Sequence, residues 1–280
     1  MTVPKITSAL GYSQDKLRKA MLDAFSDYAI PMQLSPQQFA EMMRQRGLDL
    51  ASSRIAISDS QIAGIWLTSV REDRAYLISS GTRPSYRSLG IARALANDSL
   101  AYLRSISVCS FQTEVLRNND TAAALYMSLG MEKQRLLDCY SLPASGCSNS
   151  NPFQFEQVPW DRIAPLTRGL FDWEPSWQND TQSLNAISNQ LLCLSLFDGP
   201  DVIAFAAVHP GTGTIHQIAV RPKSRRNGIA TALIAGIQNQ LPGCALRLIN
   251  ICSTDAAFRG LMANLKATET VGQFELKMPM

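Results

Sequence analysis

The sequence predicts a mixed α/β chain of the α+β kind, made of two similar units in tandem. Three observations carry this. A ten-residue segment is written twice: Arg83-Pro84-Ser85-Tyr86-Arg87-Ser88-Leu89-Gly90-Ile91-Ala92 returns as Arg221-Pro222-Lys223-Ser224-Arg225-Arg226-Asn227-Gly228-Ile229-Ala230, with Arg, Pro, Arg, Gly, Ile and Ala in register. The copies lie 138 positions apart in a chain of 280, so the repeat spans the molecule, and the length suits two domains of about 150 residues. Each half alternates strand-like and helix-like apolar spacing, with strand runs in the majority.

Element by element, residues 15–28 and 35–46 have helical spacing, through Leu17, Met21 and Phe25 and then Phe39, Met42 and Met43. Ser35 with Gln38 has the form of a capping box. Residues 54–57 and 62–70 are β-rich runs joined at Asp59-Ser60, a hairpin signal. A strand follows over 75–82, a helix over 90–104 anchored by Ile91, Leu95 and Leu103, and a strand over Ser110–Leu116. A helix over 120–129 ends at Gly130, and a strand over 133–142 closes the unit. The Ser, Gly, Asn and Pro content of 143–152 marks a linker, which gives domains 1–143 and 153–280 about a linker 144–152. The second half repeats the outline: a strand over 191–197, a turn at Asp198-Gly199, strands over 202–208 and 215–220, a helix over 228–240 and a strand over 245–251.

Composition narrows the function. An apolar share of 46% and a charged share of 18% are globular values. The longest nearly apolar stretches, residues 62–67 and 202–208, fall far short of the roughly 20 that cross a membrane. Residues 1–10 contain Pro4 and Lys5 and no apolar signal region. A formal net charge of +3 is too small to imply nucleic acid. The six cysteines, at 109, 139, 147, 193, 244 and 252, form no C-x-x-C, and His209 and His216 stand near no cysteine run, so no metal site is expected. The apolar neighbours of Cys109, Cys193 and Cys252 suggest buried, reduced thiols and a cytoplasmic protein.

The repeated segment reads as a strand end, a Pro-bearing turn and a Gly-Ile-Ala entry into a helix. Such a turn binds anions: the first amides of a helix are unpaired and point outward. Gly90 and Gly228 let a phosphate approach the backbone, and Ala92 and Ala230 keep the next turn slim. No Lys-Ser or Lys-Thr follows the glycine and the pattern is not G-x-G-x-x-G, which disfavours the common nucleotide loops.

On these residues the chain resembles the GNAT superfamily of acetyl-CoA-dependent N-acetyltransferases, whose phosphate loop is (Arg/Gln)-x-x-Gly-x-(Gly/Ala). Arg87 to Ala92 and Arg225 to Ala230 both fit. The first half adds the family's second element, Asn-x-x-Ala-x-x-Leu-Tyr followed by Leu-Gly-Phe, through Asn119, Ala122, Leu125, Tyr126 and Gly130, with Met131 for the Phe. The resemblance is strong over 53–142 and looser over 190–265. It implies two tandem GNAT folds, each a mostly antiparallel twisted sheet flanked by helices, and direct attack of an amine on acetyl-CoA as cosubstrate, without metal. The amides of Ser88, Leu89, Gly90, Ile91 and Ala92, together with Arg87, would hold the pyrophosphate. Ser79, Ser80, Gly81 and Thr82 would pair with the pantetheine arm, and a strand bulge, with Gly81 as its candidate, would free an N–H for the thioester carbonyl. Asn119 would hold the pantetheine, and Tyr126 would protonate the departing thiolate; by its spacing alone Tyr126 reads first as a packed helix aromatic, and the loop turns the reading toward the acid. Glu114 either takes the ammonium proton, directly or through water, or is a strand carboxylate paired with an arginine. Asp27 and Tyr28 lie where the family builds its acceptor site, or are plain loop chemistry.

In the second half, Met262 stands at the position of Tyr126, Asp255 at that of Asn119 and Asn250 at that of Glu114 in an ungapped alignment. Arg225, Arg226, Asn227, Gly228, Ile229 and Ala230 keep the loop, and Arg221 and Lys223 make it more basic, either for the ribose phosphate of CoA or as solvated surface. His216, on the strand before that loop, reads as a packed or surface residue sooner than as a base. The first unit is therefore expected to catalyse and the second to be degenerate; an active second unit and a non-catalytic CoA binder are the alternatives. The acceptor is a small-molecule or peptide amine, and the protein a monomer or homodimer.

Overall fold

A computed structural model describes residues 4–27, 32–144 and 152–280. It divides into two compact units, one of Met1–Val115, Asn119–Gln134 and Glu275–Met280, the other of Leu116–Asn118 and Arg135–Phe274.

The first unit opens with β1 (Lys5–Ser8), a strand the sequence reading does not anticipate, then α1 (Gln14–Ala24) and α2 (Pro36–Arg46). Ser13 caps α1, which buries Leu17, Ala20, Met21 and Ala24. The helix stops at Ala24, short of residue 28, because the Phe25 N–H turns back to Met21 and Asp23 carbonyls and Ser26 bonds to Asp23. In α2 the capping box of Ser35 and Gln38 is present in both directions, and Gly47 ends the helix at φ +77°. The strands β2 (Leu48–Ser58) and β3 (Gln61–Arg71) form the hairpin, with Asp59 and Ser60 both at positive φ, as a tight two-residue turn requires. Then come β4 (Arg74–Thr82), α3 (Ile91–Ser105), β5 (Ser110–Leu116) and α4 (Asp120–Ser128). Strand order is β1-β2-β3-β4-β5, antiparallel except for the parallel pair β4/β5. The Met280 N–H bonds to the Cys109 carbonyl beside the start of β5.

A strand forms where the sequence predicts one, β6 (Glu132–Leu142), and from residue 135 it lies in the second unit. It pairs antiparallel with β11 (Leu246–Cys252), from Leu142↔Leu246 to Leu137↔Cys252, and Tyr140 and Leu142 enter that unit's core. The rest of the second unit runs β7 (Glu156–Gln157), the short helices α5 (Trp160–Ile163) and α6 (Thr181–Asn185), β8 (Leu192–Asp198), β9 (Asp201–His209), β10 (Thr214–Val220), α7 (Ile229–Gln240), β11, α8 (Ala256–Asn264) and β12 (Thr268–Pro279). Its order is β12-β6-β11-β10-β9-β8-β7, with β10/β11 the parallel pair. Leu233, Ile234 and Ile237 of α7 pack on Ala204, Ala206 and Val208 of β9, with Leu248, Ile251 and Met262. Trp160, Ile163 and Phe205 belong to a separate cluster.

Burial corrects one thiol: Cys109 is exposed beside a buried Val108, whereas Cys139, Cys193 and Cys252 are buried. The proposed linker falls almost wholly outside the described residues, with Cys147.

Candidate functional site

The two repeated loops have one conformation. Pro84–Tyr86 and Pro222–Ser224 are single 3-10 turns; Arg87 and Arg225 are extended at φ −69°, ψ 163° and φ −67°, ψ 164°. Ser88 and Arg226 then turn to φ +62° and +66°, and Gly90 and Gly228 to φ +74° and +80° as N-caps of α3 and α7. A Cβ built on either glycine meets no atom within 4 Å, so the space against the helix start is open. Left-handed residues two apart turn successive amides to one side, and the following helix adds its positive end. Ser88, Leu89 and Gly90 are exposed, as are Arg226, Asn227 and Gly228, while Ile91 and Ile229 anchor the helices inward. The loops fit the phosphates of a CoA-type ligand. The guanidiniums of Arg87 and Arg225 point away from this cradle in their bonding: Arg87 is held by Asp27, Thr82 and Ala24, and Arg225 by Asp172, Val220 and Leu170.

Each loop follows a bulged strand. In β4, Ser79 pairs with Leu67 and Leu77 with Thr68, leaving Ile78 as the extra residue; in β10, Gln217 pairs with Ala207 and Ile215 with Val208, leaving His216. Ile78 and His216 are 138 positions apart, like the loops. The bulge is therefore present but not at Gly81, which pairs in regular register with Ile65. Gly81 is small for another reason: a Cβ there would meet the Ala24 Cβ at 2.8 Å and the Phe25 ring at 3.4 Å, so it lets α1 approach the sheet. Parallel pairing of β4 with β5 runs from Arg74↔Ser110 to Tyr76↔Gln112. Beyond that point, among the described residues, the two strands no longer pair, and the bulge and Ser79, Ser80, Gly81 and Thr82 lie along the split between them.

Chemistry-bearing side chains stand on both faces of this split. On the α3 face, the Tyr126 hydroxyl lies 2.8 Å from Ser80 Oγ, with its ring edge-on to Trp66 at 6.0 Å and 6% exposed. This face is fixed by Gly64, whose Cβ would touch Ile91 and Leu95 of α3. On the opposite face, the Tyr76 hydroxyl donates to Glu114 Oε2. Burial first, and then the Glu114 charge, raise the Tyr76 phenol well above its ordinary value, so it stays a donor. Tyr76 is thus one partner of Glu114, from a strand 38 positions away in sequence. Asn119 is the N-cap of α4, its Oδ1 accepting from Ala122 N–H at 3.2 Å. Both carboxylate oxygens of Asp27 are on Arg87, whose hydrogen bond lowers the Asp27 pKa. Tyr28 lies outside the described residues.

The second unit holds a cavity of about 340 Å³ at the same place, lined by its loop, the β10 bulge, Leu248 and Ile251 of β11, and α8. Asp255 caps α8 as Asn119 caps α4, and Met262 is buried at the place of Tyr126. Pairing puts Ile218 and Ala206 where Ser80 and Trp66 stand. The ungapped equivalence of Asn250 with Glu114 fails. Between Leu248 and Ile251 the β11 ladder gains a residue against β6, and Asn250, at φ +59°, belongs to that bulge. Its buried side chain bonds to Ser176 and Gln273. His216 is buried and touches Asn179 Oδ1 at 3.0 Å; Asn179 also donates to the Ile249 carbonyl and accepts from Gln217. Asn179 thus bridges β10 and β11 where they separate. Nothing in the sequence marks it, because it ends a single 3-10 turn, Trp177–Asn179, that carries no periodic signal.

Comparison with known proteins identifies the family and the fold. The model of the acetyltransferase (GNAT) family matches residues 17–131 and 157–260. Similar solved structures include a GCN5-related N-acetyltransferase from Sphaerobacter thermophilus, 14% identical with a TM-score of 0.73 over 99% of this chain and 95% of that one. A tandem GNAT protein from the clavulanic acid biosynthesis pathway is 14% identical, with a TM-score of 0.70 over 99% and 97%. No curated protein sequence matches. At such identities the structures show the fold, two tandem units of this type.

Proposed function

The chain belongs to the acetyltransferase (GNAT) family, and from that premise we propose that its first unit is an N-acetyltransferase that uses acetyl-CoA as cosubstrate and a small-molecule or peptide amine as acceptor. The observation that carries this is the placement of Tyr126 and Glu114 on opposite faces of the β4/β5 split, with the open loop at the end of the same strand.

In this reading the amides of Ser88, Leu89, Gly90, Ile91 and Ala92 hold the pyrophosphate, and Ser79, Ser80, Gly81 and Thr82 pair with the pantetheine arm. CoA supplies an activated acyl group as a thioester. The bulge at Ile78 turns a backbone N–H out of the ladder, toward a developing oxyanion. Glu114, which accepts from the Tyr76 hydroxyl, takes the proton of the attacking ammonium, directly or through water. Tyr126, oriented by Ser80, gives its proton to the leaving sulfur, since a thiol of pKa about 8.5 leaves a dry site poorly as an anion. Asn119 fixes the start of α4 and so the height of Tyr126 along the cleft. The second unit, with Met262 and Ile218 where the two hydroxyls stand, binds or supports without transferring. The buried free thiols suit a cytoplasmic enzyme; among the described residues no helix is long and apolar enough to cross a membrane.

One observation favours a second reading, in which the second unit transfers: it holds the 340 Å³ cavity with its retained loop, and His216 sits on its bulge. Thiol release from acetyl-CoA over a panel of polyamines, aminoglycosides, amino acids and peptide N-termini tests the function. Release with at least one amine class is expected; none across the panel, from a folded protein that binds acetyl-CoA, contradicts transfer.

A further inference from the structure

In both units the arginine that opens the phosphate loop is held by the same three-way grip. Arg87 donates from Nε to the Thr82 carbonyl at 3.2 Å and from Nη2 to the Ala24 carbonyl at 3.0 Å. It also meets Asp27 in two bonds, Nη1 to Oδ2 at 2.6 Å and Nη2 to Oδ1 at 2.8 Å. Arg225 donates from Nε to the Val220 carbonyl at 2.9 Å, from Nη2 to the Leu170 carbonyl at 3.2 Å and from Nη1 to Asp172 Oδ2 at 2.6 Å. The strand-end contacts follow from the repeat, but the others do not. Ala24 ends α1 and Asp27 lies in the turn just after it, whereas Leu170 and Asp172 lie in an irregular segment. Two unlike pieces of backbone deliver one carbonyl and one carboxylate to the same place.

We propose that Asp27 is a positioning residue for the phosphate loop of the first unit, and Asp172 its counterpart in the second. Each carboxylate holds the motif arginine against the base of the loop and so fixes the amides that meet the anion. By charge alone an aspartate near a phosphate site weakens it. Here the aspartate spends its charge on the guanidinium, and the loop amides and helix start supply the attraction. A lone exposed ion pair does little, but the two-bond fork of Asp27, and the single bond of Asp172, are each braced by two carbonyls on the same guanidinium, which restricts the arginine to one geometry. The opposite role, Arg87 as a direct phosphate ligand with Asp27 competing for it, predicts the opposite sign.

The inference rests on the reading of the loops as CoA sites. The test is calorimetric titration of the full chain with CoA, for the parent and for Asp27→Asn, Asp172→Asn and the double variant, with the KM for acetyl-CoA and kcat measured on the best amine. The double variant is expected to bind CoA roughly 5- to 10-fold more weakly, of the order of one lost charge-assisted bond. Asp27→Asn should raise KM for acetyl-CoA by a similar factor with kcat within twofold, and Asp27→Glu should recover most of the loss. Adding Asp27→Asn to Arg87→Gln should cost nothing further. Binding by the double variant as tight as the parent's, or tighter, overturns the inference alone. A folded parent that binds no CoA overturns the reading of the loops, and this inference with it.

Discussion

Tyr126 is held from two sides, by the Ser80 hydroxyl and by the edge of Trp66, so Tyr126→Phe removes the proton and little of the packing. Turnover should fall roughly 100-fold or more while acetyl-CoA binding persists; a rate within a factor of two of the parent, with chemistry rate-limiting, would remove Tyr126 from the mechanism. Its motif marks Tyr126 as a candidate in the sequence, with Asn119, while Glu114 is marked only by its place on the strand before them. The partners were not legible: Tyr76 reaches Glu114 across 38 positions and Ser80 reaches Tyr126 across 46, and only the strand register brings them together. Among the thiols, burial pushes Cys193 from 9.0 up to about 12. An unfolded chain loses that proton first, so between these values the native state binds more protons and stability falls as pH rises. The denaturant midpoint should therefore decline from about pH 9 upward, and less steeply in Cys193→Ala; equal slopes would show that this thiol does not contribute.

Single elements were legible where their signal is local. The capping box of α2, the Asp59-Ser60 hairpin and both Gly-Ile-Ala helix starts appear as read. Signals with two physical meanings were misread. A glycine inside a strand serves either a bulge or a close backbone approach, and Gly81 serves the second while Ile78 takes the bulge. The extra residue in β11 left no trace in composition, since Asn250 occupies a left-handed position that Asn tolerates. These assignments predict that Gly81→Ala is costly although alanine suits a strand better than glycine. Its Cβ presses on the Ala24 Cβ, which the backbone of α1 carries and cannot swing away, and overpacking of this kind costs about 1–3 kcal/mol. Equilibrium urea unfolding that finds the variant as stable as the parent would show that α1 is not close-packed on β4.

For the molecule as a whole, the duplication was readable from ten residues written twice, because the loop conformation depends on glycines and a proline that leave few substitutes. The unequal chemistry of the copies was readable in part. Met262 for Tyr126 was visible, while Ile218 for Ser80, Ala206 for Trp66 and the Asn179 bridge needed the strand registers. The central claim is that transfer belongs to the first unit. An aspartate tolerates the left-handed backbone of the loop glycines and places a carboxylate where each cradle receives its anion. The direct test is therefore the steady-state turnover of folded Gly90→Asp and Gly228→Asp with acetyl-CoA and the best amine. Gly90→Asp should be nearly inactive, and Gly228→Asp should keep most of the parent rate. An active Gly90→Asp beside an inactive Gly228→Asp would contradict the account and move the transfer to the cavity of the second unit.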